Sequence, residues 1–467
     1  MTMTMTMIMT MMKMTTTMYI LLSLLCLCPF ANCSVLNLLP PSQDPFYQPP
    51  RNLANLDPGT IIKHRPTPQK LSNVFFTFNL KNSWQLMYRT TDTFGNATAT
   101  IITIMEPHNA TADKVISYQT AEDSAHIDCS PSYGFQFGAP HSTLMTHLDM
   151  RFMIPALSRG FYVISSDYEG PNSAFLAGMS SGYATLDGIR AALQSGNITG
   201  ISNEARVVIW GYSGGSVPTG FAACLQSSYA PELSRSLIGC AMGGIVVNIT
   251  SAAQAADCTV FSGLIPLALN GLCNEYPVFE REIYDNIGPN HLENFIWSQT
   301  NCWIPGMYHY QYTNFFTGDN RTFQRGFDIL QDAQIRRIVN ENCLINLNQS
   351  YLPQVPVFVY HALLDEVTPL QDALQLYRQW CDWGIRSFEF AEDFLNEHVS
   401  EQAFGAGAAW TWIEARFDGV EPVSGCEHTS RWNNLYYPNV SQDVRDLLTG
   451  YNHTLIDLLV KDEKWEV

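Results

Sequence analysis

Val207-Val208-Ile209-Trp210 runs directly into Gly211-Tyr212-Ser213-Gly214-Gly215. Four continuous apolar residues, rather than an alternating pattern, are what a strand buried on both faces requires. A Gly-x-Ser-x-Gly sequence after such a strand, and before a segment able to become helix, describes a strained turn that lifts a serine hydroxyl clear of a sheet. The flanking glycines answer to crowding in that turn, which leaves almost no room for side chains. The turn also aims the first unpaired N–H groups of the following helix at any negative charge that develops beside the hydroxyl. A plain glycine-rich turn is the simpler reading, and the strand ahead of it argues for the sharper one. Ser213 is the candidate nucleophile, and the backbone N–H of Gly214 is a candidate donor to an oxyanion.

On either side of this stretch, other apolar runs end abruptly in small or polar residues. Phe161–Ile164 leads into Ser165-Ser166-Asp167, Leu237–Met242 into Gly243-Gly244, and Val355–Tyr360 toward Asp365. Alternation of such runs with helix-like segments predicts an α/β fold with a mostly parallel central sheet, whose ligands bind at the carboxyl ends of the strands. Upstream, Trp84–Met105 reads as a hairpin about Thr93-Phe94-Gly95-Asn96, and Ser34 to about Pro68 as an extended surface arm. Between Asn248 and Ser350 the strand rhythm stops and helix-like pieces such as Thr322–Val339 take over. A stretch this long is more than one crossover needs. The expected organisation is a core of residues 34–247 and 351–467 with an inserted helical cap at 248–350.

A serine hydroxyl needs a base, and in a fold of this kind the acid and then the histidine follow the nucleophile in the chain. Asp365, at the end of a core strand, is the candidate acid, with Glu366 and Asp372 as alternatives. His398, His428 and His453 come after it. His453 lies in a glycosylation sequon and His428 in a polar stretch just past Cys426, whereas His398 follows the strand-like Ser387–Phe390 through a short acidic loop, and is the candidate base. The second oxyanion donor is expected from the loop Ser165–Gly170, at the end of an earlier strand.

The 467 residues are 46% hydrophobic and 15% charged, with a formal net charge of -18. Such a balance suits a folded chain and makes nucleic acid an unfavourable partner, because phosphate backbones repel it. Contact with a lipid surface would have to be transient and rest on apolar patches. A Met/Thr tract with Lys13, an apolar stretch at Tyr19–Phe30 and the small residues around Ala31 and Cys33 predict a signal peptide over residues 1–33, cleaved before Ser34. Sequons at Asn96, Asn109, Asn197, Asn248, Asn320, Asn348, Asn439 and Asn452 fit passage through the secretory pathway to the extracellular space. Nine cysteines follow Ser34, so at least one lies outside any intrachain pairing. No Cys-x-x-Cys or His-Glu-x-x-His occurs, so neither a metal nor any other cofactor is expected.

Taken in order, several stretches resemble the fungal secretory lipases of the lipase-A type. They are Glu122-Asp123-Ser124 with Cys129-Ser130-Pro131-Ser132-Tyr133, Ser165–Gly170, Gly211–Gly215, Ser228-Tyr229-Ala230-Pro231-Glu232-Leu233, Tyr360-His361-Ala362 with Asp365-Glu366, and Glu397-His398. The resemblance implies an α/β-hydrolase with a helical cap, acting on triacylglycerols and other carboxylic esters through Ser213, Asp365 and His398. It narrows the second oxyanion donor to Asp167. It pairs Cys129 with Cys302 and Cys381 with Cys426, leaves Cys224, Cys240, Cys258, Cys273 and Cys343 unassigned, and implies no obligate protein partner. A serine peptidase with the same chain order, or a catalytically silent binding protein on this fold, are the competing readings.

Overall fold

A computed structural model of the chain describes residues 38–74 and 76–449. The expected signal peptide, the sequon at Asn452 and His453 lie outside the described residues. Within them, ten strands form one sheet: β1 (Ile61–Pro66), β2 (Asn82–Thr91), β3 (Ala97–Glu106), β4 (Thr111–Gln119), β5 (Phe161–Ser166), β6 (Arg206–Tyr212), β7 (Leu237–Gly243), β8 (Val357–Ala362), β9 (Ser387–Asp393) and β10 (Gly425–Arg431). Their order is β1-β2-β3-β5-β4-β6-β7-β8-β9-β10. The pairs from β1 to β5 through β3 are antiparallel, and the seven strands from β5 to β10 run parallel.

The continuous apolar character of β6 has a direct cause. Val207 and Ile209 enter the core on one face of the sheet, beneath helices Gly178–Gln194 and Ser216–Tyr229. Val208, Trp210 and Tyr212 enter the core on the other, beneath helices Leu144–Ser158 and His398–Phe417. Each fully buried aliphatic side chain of this kind contributes about 1.5–3 kcal/mol. The sheet therefore has no wet face at its centre, and strand ends are where polar chemistry can sit.

The hairpin expected at Trp84–Met105 is β2–β3; Phe161–Ile164, Val207–Trp210 and Leu237–Met242 lie within β5, β6 and β7, and Val355–Tyr360 enters β8 at Val357. The segment expected as an extended arm instead carries two single 3-10 turns and the edge strand β1, whose Ile-Ile-Lys-His-Arg-Pro sequence is too polar to reveal pairing. His428, expected in a polar loop, lies on β10, an edge strand polar for the same reason. Between Gly243 and Val357 the described chain has helices, among them Ile249–Ala256, Leu264–Glu275 and Trp303–Tyr310, and no strand. The single helix expected over Thr322–Val339 is in fact a 3-10 segment, Gly326–Gln331, and a helix, Ala333–Glu341. They are separated at Asp332, whose carboxylate accepts from Gln334 N and caps the second.

Cys129 is bonded to Cys302 and Cys381 to Cys426. Cys224, Cys240, Cys273 and Cys343 are buried free thiols, while Cys258 is exposed. The first bridge closes a loop spanning a sequence separation of 173 and anchors the helical stretch after β7 to the segment after β4. Replacing Cys129 and Cys302 together by Ser is expected to lower stability by about 2–5 kcal/mol. The midpoint of urea denaturation measures it.

Candidate active site

β6 ends at Tyr212, and Ser213 follows with φ of 52°, a left-handed conformation that is strained for any residue other than glycine. The approach of neighbours dictates the two glycines after it. A Cβ on Gly215 would stand 2.0 Å from the carbonyl oxygen of Gln119, and one on Gly214 would stand 1.7 Å from the carboxylate of Asp123. Helix Ser216–Tyr229 then begins, directed away from the serine.

Three separate strand ends meet here. His398 Nε2 lies 2.8 Å from Ser213 Oγ, and His398 Nδ1 lies 2.7 Å from Asp365 Oδ2. His398 opens helix His398–Phe417 after β9; Tyr212 OH donates to its carbonyl oxygen at 2.6 Å, and its own N–H donates to Glu366 at 3.0 Å. Asp365 sits in the turn after β8. Its Oδ1 accepts from the N–H groups of Val367 and Thr368 at 3.0 and 2.6 Å, and its Oδ2 accepts from Thr368 Oγ1 at 2.9 Å. Although burial pushes the Asp365 carboxyl up, His398 and these donors hold it well below the ordinary range. Burial likewise pushes His398 down, and the charge and hydrogen bond of Asp365 outweigh it, so the imidazole is more basic than usual.

A second histidine, His361, is fully buried beside Asp365 but is committed elsewhere. Its Nδ1 accepts from Ile245 N at 3.3 Å and its Nε2 donates to Thr368 O at 2.8 Å, so it is neutral; burial lowers its basicity. The other acid candidates are also accounted for. Glu366 holds the backbone of His398, and Asp372 takes the hydroxyl of Ser251. His428 bonds Glu392 at 2.8 Å.

Asp167 is not brought to Ser213. It follows β5, which β4 separates from β6, and its side chain is turned toward Ser132. Its carboxylate accepts from Ser132 N at 2.8 Å and Ser132 Oγ at 2.5 Å, and it lines a different cavity, with Tyr47 and Met87. Burial raises its pKa to about 7, against the pull of Ser132.

β6 lies between β4 and β7, and the residue that the chain after β4 delivers to Ser213 and Gly214 is Asp123. Asp123 is buried and in the left-handed region at φ of 49°, and its Oδ1 has no hydrogen-bond partner among the described residues. Burial lifts its carboxyl to about 7, opposed by the nearby His398. The loop carrying it is braced by Asp149, which accepts from Ala121 N at 3.1 Å, and by Tyr168, whose hydroxyl donates to Thr120 O at 2.6 Å. Glu122 and Glu169 lie buried beside it, both pushed up by burial first and then by surrounding carboxylates.

Above Ser213 and Gly214 opens a cavity enclosing about 570 Å³ of empty space, part of it open to solvent. Its walls are apolar: Phe175 and Leu176 from the core, and Ile249, Ala253, Ala268 and Leu269 from the helical stretch after β7. Among the described residues no group of three His, Cys, Asp or Glu side chains is placed to hold a metal ion.

Residues 135–425 match the family described as secretory lipase. The chain belongs to the secretory lipase family. Membership makes this secretory lipase an ester hydrolase. It is 49% identical to Lipase 1 of Candida albicans over 417 residues, covering 89% of each chain. It is 34% identical to Lipase A of Arthroderma benhamiae over 428 residues, covering 90% of this chain and 88% of that one. The crystal structure of Candida antarctica lipase A in its closed state superposes with a TM-score of 0.77 at 29% identity, over 89% of this chain and 96% of that one. The sheet and its helices are accordingly an α/β-hydrolase fold.

Proposed function

We propose that this lipase cleaves triacylglycerols and other carboxylic esters through an acyl-enzyme on Ser213. The relay of 2.8 and 2.7 Å contacts from Ser213 through His398 to Asp365, at the floor of an apolar cavity, carries the reading. His398 Nε2 takes the hydroxyl proton as Ser213 Oγ attacks the ester carbonyl. Asp365 holds the resulting imidazolium at Nδ1, and His398 returns the proton to the departing alcohol. Water then attacks the acyl-enzyme by the same route. The acyl chain lies among the aliphatic side chains of the cavity, beneath a cap formed by the 248–350 insertion. The signal peptide at residues 1–33 directs the chain to secretion. The sequons at Asn96, Asn109, Asn197, Asn320, Asn348 and Asn439, all at exposed asparagines, are the glycosylation sites. Asn248 is half-buried, and its Oδ1 caps helix Ile249–Ala256 through Thr250 N.

The oxyanion of the tetrahedral intermediate is assigned to the N–H of Gly214 and, in place of Asp167, to the side chain of Asp123. A carboxyl donates only when protonated, and the burial that lifts Asp123 to about 7 serves this role. Asp123→Ala is expected to reduce kcat by about 10²–10³-fold, the cost of one oxyanion donor, and Asp167→Ala by much less. The pH dependence separates this from a structural effect. The active form needs Asp123 protonated, so activity falls as pH rises through about 7, and neutral His398, so activity also falls as pH drops below its raised pKa. Asp123→Asn keeps a donor at every pH and should extend activity to alkaline pH. An unchanged alkaline limb would remove Asp123 from the oxyanion site.

Esters assayed beside matched peptide amides with wild type and Ser213→Ala test the function itself. Turnover confined to esters and lost in the variant is expected; amide hydrolysis at a comparable rate would favour a peptidase.

A further inference from the structure

The parallel strands end along the edge of the sheet that carries Ser213, Asp365 and His398. At three neighbouring strand ends, the residue just past the last paired position is large, apolar and exposed. Register pairs Ala362 of β8 with Asp393 of β9, and Asp393 with Arg431 of β10. Leu363 N then donates to Asp393 O at 2.7 Å and Phe394 N to Arg431 O at 2.9 Å, which carries the register one residue further. Leu363, Phe394 and Trp432 therefore stand side by side, 44%, 36% and 72% exposed, with Leu364 beside them at 57%. The rings of Phe394 and Trp432 meet edge to face, with centroids 6.0 Å apart.

Single exposed apolar residues are ordinary, but a contiguous row at the catalytic edge marks a surface that meets something apolar. The nearby carboxylates are turned inward. Glu392 accepts from His428 and Ser430, Asp393 from the N–H groups of Leu395 and Asn396, and Glu366 from His398 N. Arg431 is held by Asn434 and Thr429. The row thus presents hydrocarbon without its own ring of charge, on a chain whose net charge of -18 repels anionic surfaces. It is also continuous with the site: Leu363 is two residues from Asp365, and Phe394 four from His398.

We infer that Leu363, Leu364, Phe394 and Trp432 form a crest on the core by which the protein seats on an uncharged lipid surface, its catalytic edge toward the lipid. This rests on the proposal that lipid esters are its substrates. Seating buries the crest side chains in the interfacial region, where an indole ring combines apolar contact with a hydrogen-bonding edge. Because the crest is on the strand ends and not on the helical insertion, the seat stays fixed relative to Asp365 and His398.

The test uses the full chain with phosphatidylcholine vesicles, measuring vesicle binding in a Ser213→Ala background so that no lipid is consumed. Replacing Phe394 and Trp432 together by Ser is expected to weaken vesicle binding by about tenfold or more. In the otherwise wild-type enzyme the same pair should slow turnover of a triacylglycerol emulsion in parallel, with kcat/KM for soluble p-nitrophenyl acetate changed by less than about twofold, since the crest touches no reacting atom. Trp432→Ser alone, the milder change, should show an intermediate loss. Adding phosphatidylserine to the vesicles should weaken binding of the unaltered crest. Vesicle binding that is unchanged in both crest variants overturns the inference. So does a crest variant that dissociates a dimer in sedimentation while still binding vesicles, which would make the row a contact between copies. Failure of the catalytic proposal reads out separately, as soluble-ester turnover by Ser213→Ala, and leaves vesicle binding untouched.

Discussion

Ser213→Ala is expected to lower kcat for a soluble ester by about 10⁵-fold or more, the scale on which serine hydrolases lose activity when the nucleophile is removed. The size follows from what remains. Gly214, Asp123 and the cavity would still bind ester and polarise its carbonyl, but no oxygen would stand 2.8 Å from His398 Nε2 to receive its help. The fold should be undisturbed, because alanine in the left-handed conformation at φ of 52° is strained about as serine is, and Ser213 Oγ anchors no backbone group in its surroundings. A thermal midpoint within a few degrees of wild type, measured beside the rate, separates lost chemistry from lost folding. Retained turnover in a folded variant would contradict the assignment.

Asp365→Asn is expected to cost about 10⁴-fold in kcat, through the tautomer of His398. Oδ1 accepts from two backbone N–H groups, so the asparagine oxygen must take that place. The amide nitrogen then occupies the position of Oδ2 and donates toward His398 Nδ1, where the carboxylate accepted. The imidazole proton is driven to Nε2, which faces Ser213 and can no longer accept the hydroxyl proton. The change also removes the negative charge that opposes the burial of protonated His398, so the acid limb of the pH–rate profile should move to lower pH. A loss of rate without that movement would point to a packing defect.

Much of the relay is legible in the sequence because it is built from local signals. The strand before Ser213, the strand before Asp365 and the acidic loop before His398 are each readable within about ten residues. The two edge strands are not, because β1 and β10 are half solvated and their sequences look like loops. The side chain proposed for the oxyanion site is hidden for a different reason. β4, which delivers Asp123, reads poorly as a strand: its first residues are exposed, and among its buried ones are Ser117 and Gln119, which bond each other. Gln119 also accepts from Thr219 of the helix after Ser213. Those polar residues are satisfied only by tertiary partners, so nothing local marks them as core. Strand order is equally non-local. The loop after β5 looks as suitable as that after β4 until Asp167 is seen to be held by Ser132 and Asp123 to stand against Gly214.

In the proposed mechanism acyl transfer passes through Ser213. The most direct measurement is labelling of the intact protein with a fluorophosphonate, followed by peptide mapping in a mass spectrometer. A single phosphonyl adduct on Ser213, formed in step with loss of esterase activity and absent from Ser213→Ala, is the predicted result. An adduct on another residue, or full esterase activity after Ser213 is labelled, would contradict it.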